Sequence, residues 1–276
     1  GLAKQNAALQ SINLLTQESV PEDAQGMLIL APTSDISADD AEKLIAYLDK
    51  GGKILMTTSY MEDFAADMPN LQKVLDYFGL SIEKGLVMEG DTSMYYQQPT
   101  YLLPEVAYDT LTNGVAGQKY IFMPYAQGIR AEEKEDVSVT SLLATSASSY
   151  AKTNMNQAQT YEKEDGDVQG PFDVGVHAEK TLEEGTAQLT LFASENLFTD
   201  SANTMVADAN LTLFTNTVAS MSDSEISVSV PVKSYESSII TVNDSTAFSL
   251  GSLFMLILPL GLLIAGIFVW MGRRKR

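Results

Sequence analysis

The chain of 276 residues contains no cysteine. That excludes disulfides, thiolate metal sites and thiol nucleophiles, so whatever domain it forms is held by its core alone. Histidine is almost as scarce, with His177 the only one. Positive charge is short as well: 17 Lys and Arg stand against 36 Asp and Glu, for a formal net charge of −19. Such a surface repels nucleic acid and anionic headgroups, so no nucleic-acid partner is expected. The G-x-S-x-G elbow, the D-x-[DN]-x-[DN]-G-x₅-E calcium loop and the phosphate-loop pattern are all missing. There is no internal repeat. A basic n-region followed by an apolar h-region is also absent, so no signal peptide is visible.

What is present is concentrated at the C-terminus. Residues 245–272 carry no charge, and 250–271 are close to continuously apolar before Arg273-Arg274-Lys275-Arg276. About twenty apolar residues at roughly 1.5 Å each match the hydrocarbon thickness. The run therefore predicts one transmembrane helix over 248–271, contacting membrane lipid, with Trp270 at the interface. The basic cluster is then the cytoplasmic tail. Pro259 is compatible, because membrane helices tolerate proline. The expected division is an extracytoplasmic domain over 1–244 and the helix with its tail over 245–276. Removing the four basic tail residues from −19 leaves −23 on the outer part. An outer domain without a leader implies an upstream export segment. The chain thus reads as the C-terminal fragment of a longer cell-membrane protein that spans more than once.

The rest of the chain reads as α/β. Residues 1–10 suggest a helix end, and Pro21-Glu22-Asp23-Ala24 a turn. Residues 27–31 form an apolar run of the kind buried on both faces of a parallel sheet. Ser37 caps a helix whose stripe is Leu44, Ile45 and Leu48, and Gly51-Gly52 ends it. Residues 53–58 give the next strand, so the two should be parallel neighbours. A second helix starts near Pro69, with Leu71, Val74, Leu75 and Phe78 on one face and Gly79 closing it. A strand over 86–88 follows. The expected fold is a Rossmann- or flavodoxin-like, mostly parallel sheet. Residues 91–170 form a long excursion, with strands over 120–123 and 137–143 and a mobile polar loop over 145–170. Strands over 172–178 and 187–193, a helix over 203–220 and strands over 226–232 and 239–242 complete the reading.

In order along the chain, several stretches resemble one family. They are Val20-Pro21-Glu22-Asp23-Ala24, LILAPTSD over 28–35, YLDKGGKIL over 47–55, and 75–79 with Leu86-Val87-Met88-Glu89-Gly90. Val230-Pro231-Val232-Lys233-Ser234 and Leu258-Pro259-Leu260 with the Arg-Arg tail follow. Together they resemble the GldG-type auxiliary component of ABC transport systems. The resemblance implies an extracytoplasmic region between two membrane helices. It also implies a role accessory to an ABC-2-type permease and its ATPase. The family's sheet is similar to that of glutamine amidotransferase-like domains, whose Cys nucleophile this chain lacks.

Candidate chemistry is thin. His177 fits an ordinary polar place on an alternating strand better than a triad. The acidic run 162–167 fits a solvated loop better than a Ca²⁺ site, so no metal is expected. In a parallel sheet the default ligand site is the crevice at the strands' C-terminal ends. Here it would be lined by Thr33, Ser34, Asp35, Thr58, Ser59, Ser194 and Asn196. These residues also serve as turn and cap formers. Tyr95, Tyr96 and Tyr101 are candidates for partner contact, unless their rings tuck into the chain's own core. Sequons at Asn210 and Asn243 arise easily by chance. Three readings follow: a non-enzymatic transporter accessory domain without cofactor, a binding module for a polar ligand such as a sugar, and a hydrolase or transferase. The first fits the sequence best.

Overall fold

The structure, a computed structural model, describes residues 9–153, 155, 160–222, 254–255 and 258–274. The chain divides into two units, Gly1–Ile239 and Ile240–Arg276. In the first, strand β1 (Met27–Leu30), helix α1 (Ala38–Leu48) and strand β2 (Lys53–Thr57) follow one another. Ser37 caps α1 by accepting from the Asp40 amide at 3.1 Å, which satisfies one of the helix's orphan donors. Gly51 follows the helix at φ +82°, a left-handed position that glycine takes without strain. β1 and β2 pair in parallel, from Met27 opposite Ile54 to Leu30 opposite Thr57, as the strand–helix–strand pattern requires.

Helices α2 (Phe64–Asp67) and α3 (Pro69–Tyr77) lead to the short strands β3 (Leu80–Ile82) and β4 (Leu86–Met88). Proline in the first turn suits α3, where an N–H would be unsatisfied anyway. The excursion then carries β5 (Tyr101–Leu102), β6 (Glu105–Val106) and β7 (Met123–Pro124). Strands β8 (Ile129–Ala131), β9 (Val137–Ala144), β10 (Tyr150–Lys152), β11 (Val168–Gln169), β12 (Asp173–Thr181) and β13 (Thr186–Phe192) follow. Helices α4 (Asp200–Met205) and α5 (Ala209–Met221) come after them.

The main sheet corrects the expected architecture. Among the described residues it has eight strands in the order β1-β2-β13-β12-β8-β3, with β9 on β12 and β6 on β9. Only β1–β2 and β2–β13 are parallel. The pairings of β12 with β13, β8 and β9, of β3 with β8 and of β6 with β9 are antiparallel. The sheet is therefore mixed and mostly antiparallel, not the mostly parallel Rossmann- or flavodoxin-like sheet expected. The physical reason lies in local pairing. β12 and β13 join through a tight turn at 182–185 in which the Leu182 amide donates to Gly185 at 3.1 Å, with Gly185 at φ +89°. A short glycine turn between two long strands makes a hairpin, and β9 exposes Ser138 and Thr140 by the alternation usual in antiparallel strands. β4 leaves the main sheet and pairs with β10, while β10 pairs with β11. Among the described residues β1 pairs with β2 alone, and it is partly exposed rather than buried on both faces.

Two cores flank the sheet. On one face Leu44 and Leu48 of α1 and Leu71, Val74 and Leu75 of α3 pack against Ile54, Met56, Leu189 and Leu191. On the other, Leu213 and Met221 of α5 and Val115, Ile121 and Met123 of the excursion pack with Leu55, Val174 and Phe192. Val174 and Val176 share a parity yet belong to opposite cores. The register of β12 against β9 shifts on both sides of Gly175, a bulge that reverses the facing. A Cβ at Gly175 would stand 2.7 Å from the Phe192 ring, so glycine fits this crossing point.

The described residues of 145–170 are not the mobile loop expected from their polarity. They hold β10 and β11 and bury Thr145, Ser149, Ala151 and Lys152. The expected strand over 120–123 reduces to β7. The expected strands over 226–232 and 239–242 lie outside the described residues, as does most of the expected helix end over 1–10.

The second unit corrects the transmembrane expectation. Its described helix, α6 (Leu258–Arg274), has 17 residues and ends in Arg273 and Arg274. At roughly 1.5 Å per residue its apolar part falls short of a bilayer's hydrocarbon. Among the described residues no helix is long and apolar enough to cross a membrane.

Candidate functional site

The strand-end crevice is built where β1, β2 and β13 finish. Ala31, at φ +46°, turns the chain out of β1. Its amide donates to the Thr57 carbonyl at 3.1 Å and to Thr57 Oγ1 at 2.9 Å. Ser59 Oγ donates back to the Ala31 carbonyl at 3.1 Å. The Thr58 amide reaches across to the Phe192 carbonyl at 3.3 Å. Ser194 Oγ donates to the Pro124 carbonyl at 2.6 Å and accepts from the Asn196 amide at 3.2 Å. These bonds draw Thr58, Ser59, Ser194 and Asn196 together and bring the excursion down on the strand ends.

The other residues of the expected lining part from them. Asp35 accepts from the Asn70 amide and side chain, both at 2.9 Å, and from the Leu71 amide at 3.0 Å. It therefore caps the N-terminus of α3 from a distant loop, an arrangement favoured by the helix dipole. Thr33 and Ser34 are exposed on the same loop. Thr58 Oγ1 is buried without a hydrogen-bond partner, which is unusual for a buried hydroxyl.

The tyrosine stretch divides too. The rings of Tyr96 and Tyr101 meet Phe122 edge-on at 6.3 and 5.5 Å, so they close the excursion's own core. Tyr95 makes a bridge with Leu102. Tyr101 also stacks edge-on with Tyr125 at 5.5 Å. The open tyrosines lie further along: Tyr108 is 85% exposed, Tyr120 56% and Tyr125 39%.

His177 lies on β12 with Nδ1 2.9 Å from Thr190 Oγ1. Burial pushes its pKa below the ordinary value, against the opposing pull of Glu179 and Asp109. The hydrogen-bond partner of this half-buried imidazole is a threonine hydroxyl. Among the described residues no group of three or more His, Asp or Glu is placed to hold a metal ion. An open cleft of about 590 Å³ does exist, but at the opposite end of β1 and β2. It lies between residues 18–25 and α1, and its Lys43 is already bonded to Asp39 at 2.6 Å and to the Leu14 carbonyl at 2.9 Å.

Buried polar clamps that the sequence reading missed hold this frame. Gln127 accepts from the Met61 amide at 3.0 Å and donates to the Met61 carbonyl at 2.8 Å and the Glu83 carbonyl at 3.1 Å. Glu89 accepts from the amides of Asp91 and Ser146 at 2.9 and 3.0 Å and from Ser146 Oγ. Asn210, one of the two sequons, is buried on α5. It accepts from the Phe122 amide at 3.2 Å and donates to the carbonyls of Phe122 and Leu197 at 2.7 and 2.6 Å. Lys152 is fully buried, with Nζ 2.7 Å from the Glu162 carbonyl, 2.9 Å from Glu164 and 3.5 Å from Asp167. The acidic run thus closes over a cation. Nothing in the local sequence marks these four as inward-facing.

No protein-family model matches the chain, and no curated protein does either. Among solved structures, the chain is similar to the N-terminal domain of mmIFT52, at 16% identity over 71% of this chain and 76% of that one, with a TM-score of 0.50. A putative ThuA-like protein from Bacteroides uniformis matches at 13% identity over 71% of this chain and 69% of that one, with a TM-score of 0.36. Neither is a member of the transporter-accessory family that the sequence motifs resemble. At these identities the likeness to the mmIFT52 domain shows a shared fold alone.

Proposed function

We propose that the chain is a non-enzymatic contact domain, an auxiliary component of an ABC-2-type transport system that works by binding its permease or ATPase. One observation carries the non-catalytic part: the strand-end residues are engaged in holding the fold. Ser59 serves Ala31, Ser194 serves Pro124 and Asp35 caps α3. A nucleophile needs an adjacent base with a free lone pair, and these side chains have neighbours of another kind. The contact part rests on Tyr108, Tyr120 and Tyr125, which present aromatic area to solvent on one excursion. Exposed aromatics of this kind favour protein interfaces. The transporter part rests on the ordered sequence motifs.

The test is copurification. The full chain, tagged in its own cells, is expected to retain an ABC-2-type permease with its ATPase. Retention should fall when Tyr108, Tyr120 and Tyr125 are changed together to Ser. Retention of no transporter protein would overturn the reading. A second reading, polar-ligand binding at the strand ends, is favoured by the unpartnered Thr58 hydroxyl. Stabilisation of the purified chain by a sugar, lost in Thr58→Val, would support it instead.

A further inference from the structure

Strand β9 pairs with β12 along one side. On its other side, among the described residues, only Leu143 and Ala144 meet a strand, β6. The Ala107 amide donates to the Leu142 carbonyl at 3.0 Å, and the Val137 amide turns back to the Lys134 carbonyl at 3.2 Å. Between these two bonds the edge of β9 is open among the described residues. Its phase is set at the start of the strand. The Thr181 amide donates to the Asp136 carbonyl at 2.8 Å, so Asp136 faces β12. Peptide groups alternate along a strand, so Ser138 also faces β12, while the amide and carbonyl of Val139 point to the open side. The Val137 amide agrees, since it too turns away from β12. Residues 137–141, Val-Ser-Val-Thr-Ser, include no charge and no proline, two devices that protect such edges. The register shifts of β9 against β12 begin only after Ser141.

We propose that this edge takes up an extended segment of a partner protein, alternating basic and aliphatic residues, which adds to the sheet as a strand beside β9. The open backbone groups of Val139 are the first support, because strand addition draws its affinity from main-chain bonds. The second is a hollow of about 530 Å³ beside the strand, lined by Ala131, Val137 and Val139 with Glu132, Glu133 and Glu135. Its apolar side suits an aliphatic side chain, and its three glutamates are exposed. The third is that the charge here has one sign. Lys134 is engaged with the Asp76 carbonyl, and Lys180 with Asp136 at 2.8 Å. On the opposite face of the sheet Glu179 stands across from Ser138. Asp109 is near enough to act on His177, which stands across from Thr140. A strand added here meets carboxylates on both faces, so a basic segment is complemented on both. A second copy of this chain, with its net charge of −19, would set like charges against each other.

The test uses the full chain and a capped synthetic peptide that alternates lysine and valine. Amide hydrogen exchange at Val139 is expected to be fast in the free chain and at least about tenfold slower when the peptide is added. Amides of β12 should stay protected throughout. Two further peptides are N-methylated, one at the lysine amides and one at the valine amides. Only one of these sets can face β9, so one peptide is expected to bind at least about tenfold more weakly and the other like the unmethylated one. Changing Glu132, Glu133 and Glu135 together to Gln, all at exposed positions, should weaken binding about tenfold. No binding of the lysine–valine peptide overturns the proposal, as does equal behaviour of the two methylated peptides. Parent-like binding by the triple Gln variant, or equal binding of a glutamate–valine peptide, overturns the basic partner. Slow exchange at Val139 in the free chain overturns the open edge: if it persists on dilution, the chain covers the edge itself, and if it disappears, a second copy does.

Discussion

Ser194 Oγ donates to the Pro124 carbonyl at 2.6 Å, and through that bond the end of β13 holds the excursion over the strand ends. The hydroxyl is 1% exposed as part of its residue, so water cannot replace it. Ser194→Ala leaves a buried carbonyl without its donor, at a cost of about 1–3 kcal/mol. The urea midpoint should fall accordingly. An unchanged midpoint would mean that the bond contributes nothing to the fold.

Asp35 and the first turn of α3 form a second such relationship. Asp35→Ala removes three acceptor contacts at once, including those to the Asn70 and Leu71 amides. The expected loss is about 1–2 kcal/mol, since an N-terminal cap and its dipole interaction go together. Asp35→Asn, which keeps one acceptor oxygen, should lose less. Denaturant melts of the two variants check the order.

Lys152 is a fully buried cation held by two carboxylates. Burial lowers its pKa, but Glu164 and Asp167 outweigh that and raise it above the ordinary value. Burial likewise raises the Asp167 pKa, yet the Glu164 and Thr153 amides and Lys152 hold it below the ordinary carboxylate value. Lys152→Met strands a buried carboxylate, so a loss of about 3–5 kcal/mol is expected. Glu164→Ala should cost under about 1 kcal/mol, because Glu164 is half exposed. The sign with pH follows from linkage. A depressed Asp167 stabilises the fold above its unfolded pKa near 3.8 and loses that contribution as pH falls through the lower folded value. Lys152 stabilises below its unfolded value of 10.5 and loses it only as pH rises through the raised one. Asp167→Asn should therefore flatten the acid limb of a stability–pH curve and leave neutral pH as the region of largest difference.

Leu44 faces the sheet from α1 and is 1% exposed. Leu44→Asp puts a carboxylate into that core, and a loss of about 3–5 kcal/mol is expected. A parent-like denaturant midpoint would contradict the packing of α1 on β2.

The first crossover was legible because every signal there is local. Ser37, the Leu44–Leu48 stripe and Gly51 mark the helix, and apolar runs mark the strands on either side. The sheet's direction beyond β2 was not legible, because β12 and β13 read equally as strands of either kind, and only the turn at 182–185 decides. At the candidate site the residue types at the strand ends were found, but their partners were not. Pro124 lies 70 residues from Ser194 and Asn70 lies 35 from Asp35, distances over which no spacing rule operates. Lys152 falls in the stretch expected to be a polar loop, and the partners of Gln127 and Asn210 lie 66 and 88 residues away.

The account's central claim is that the strand ends hold the fold while the excursion's tyrosines make the contact. The most direct measurement compares two variants of the full chain in copurification with the ABC-2-type permease. One changes Thr33, Ser34 and Asn196 to Ala, and the other changes Tyr108, Tyr120 and Tyr125 to Ser, with both shown to melt like the parent. The account predicts parent-like retention for the first and loss for the second. Loss for the first with full retention for the second would contradict it.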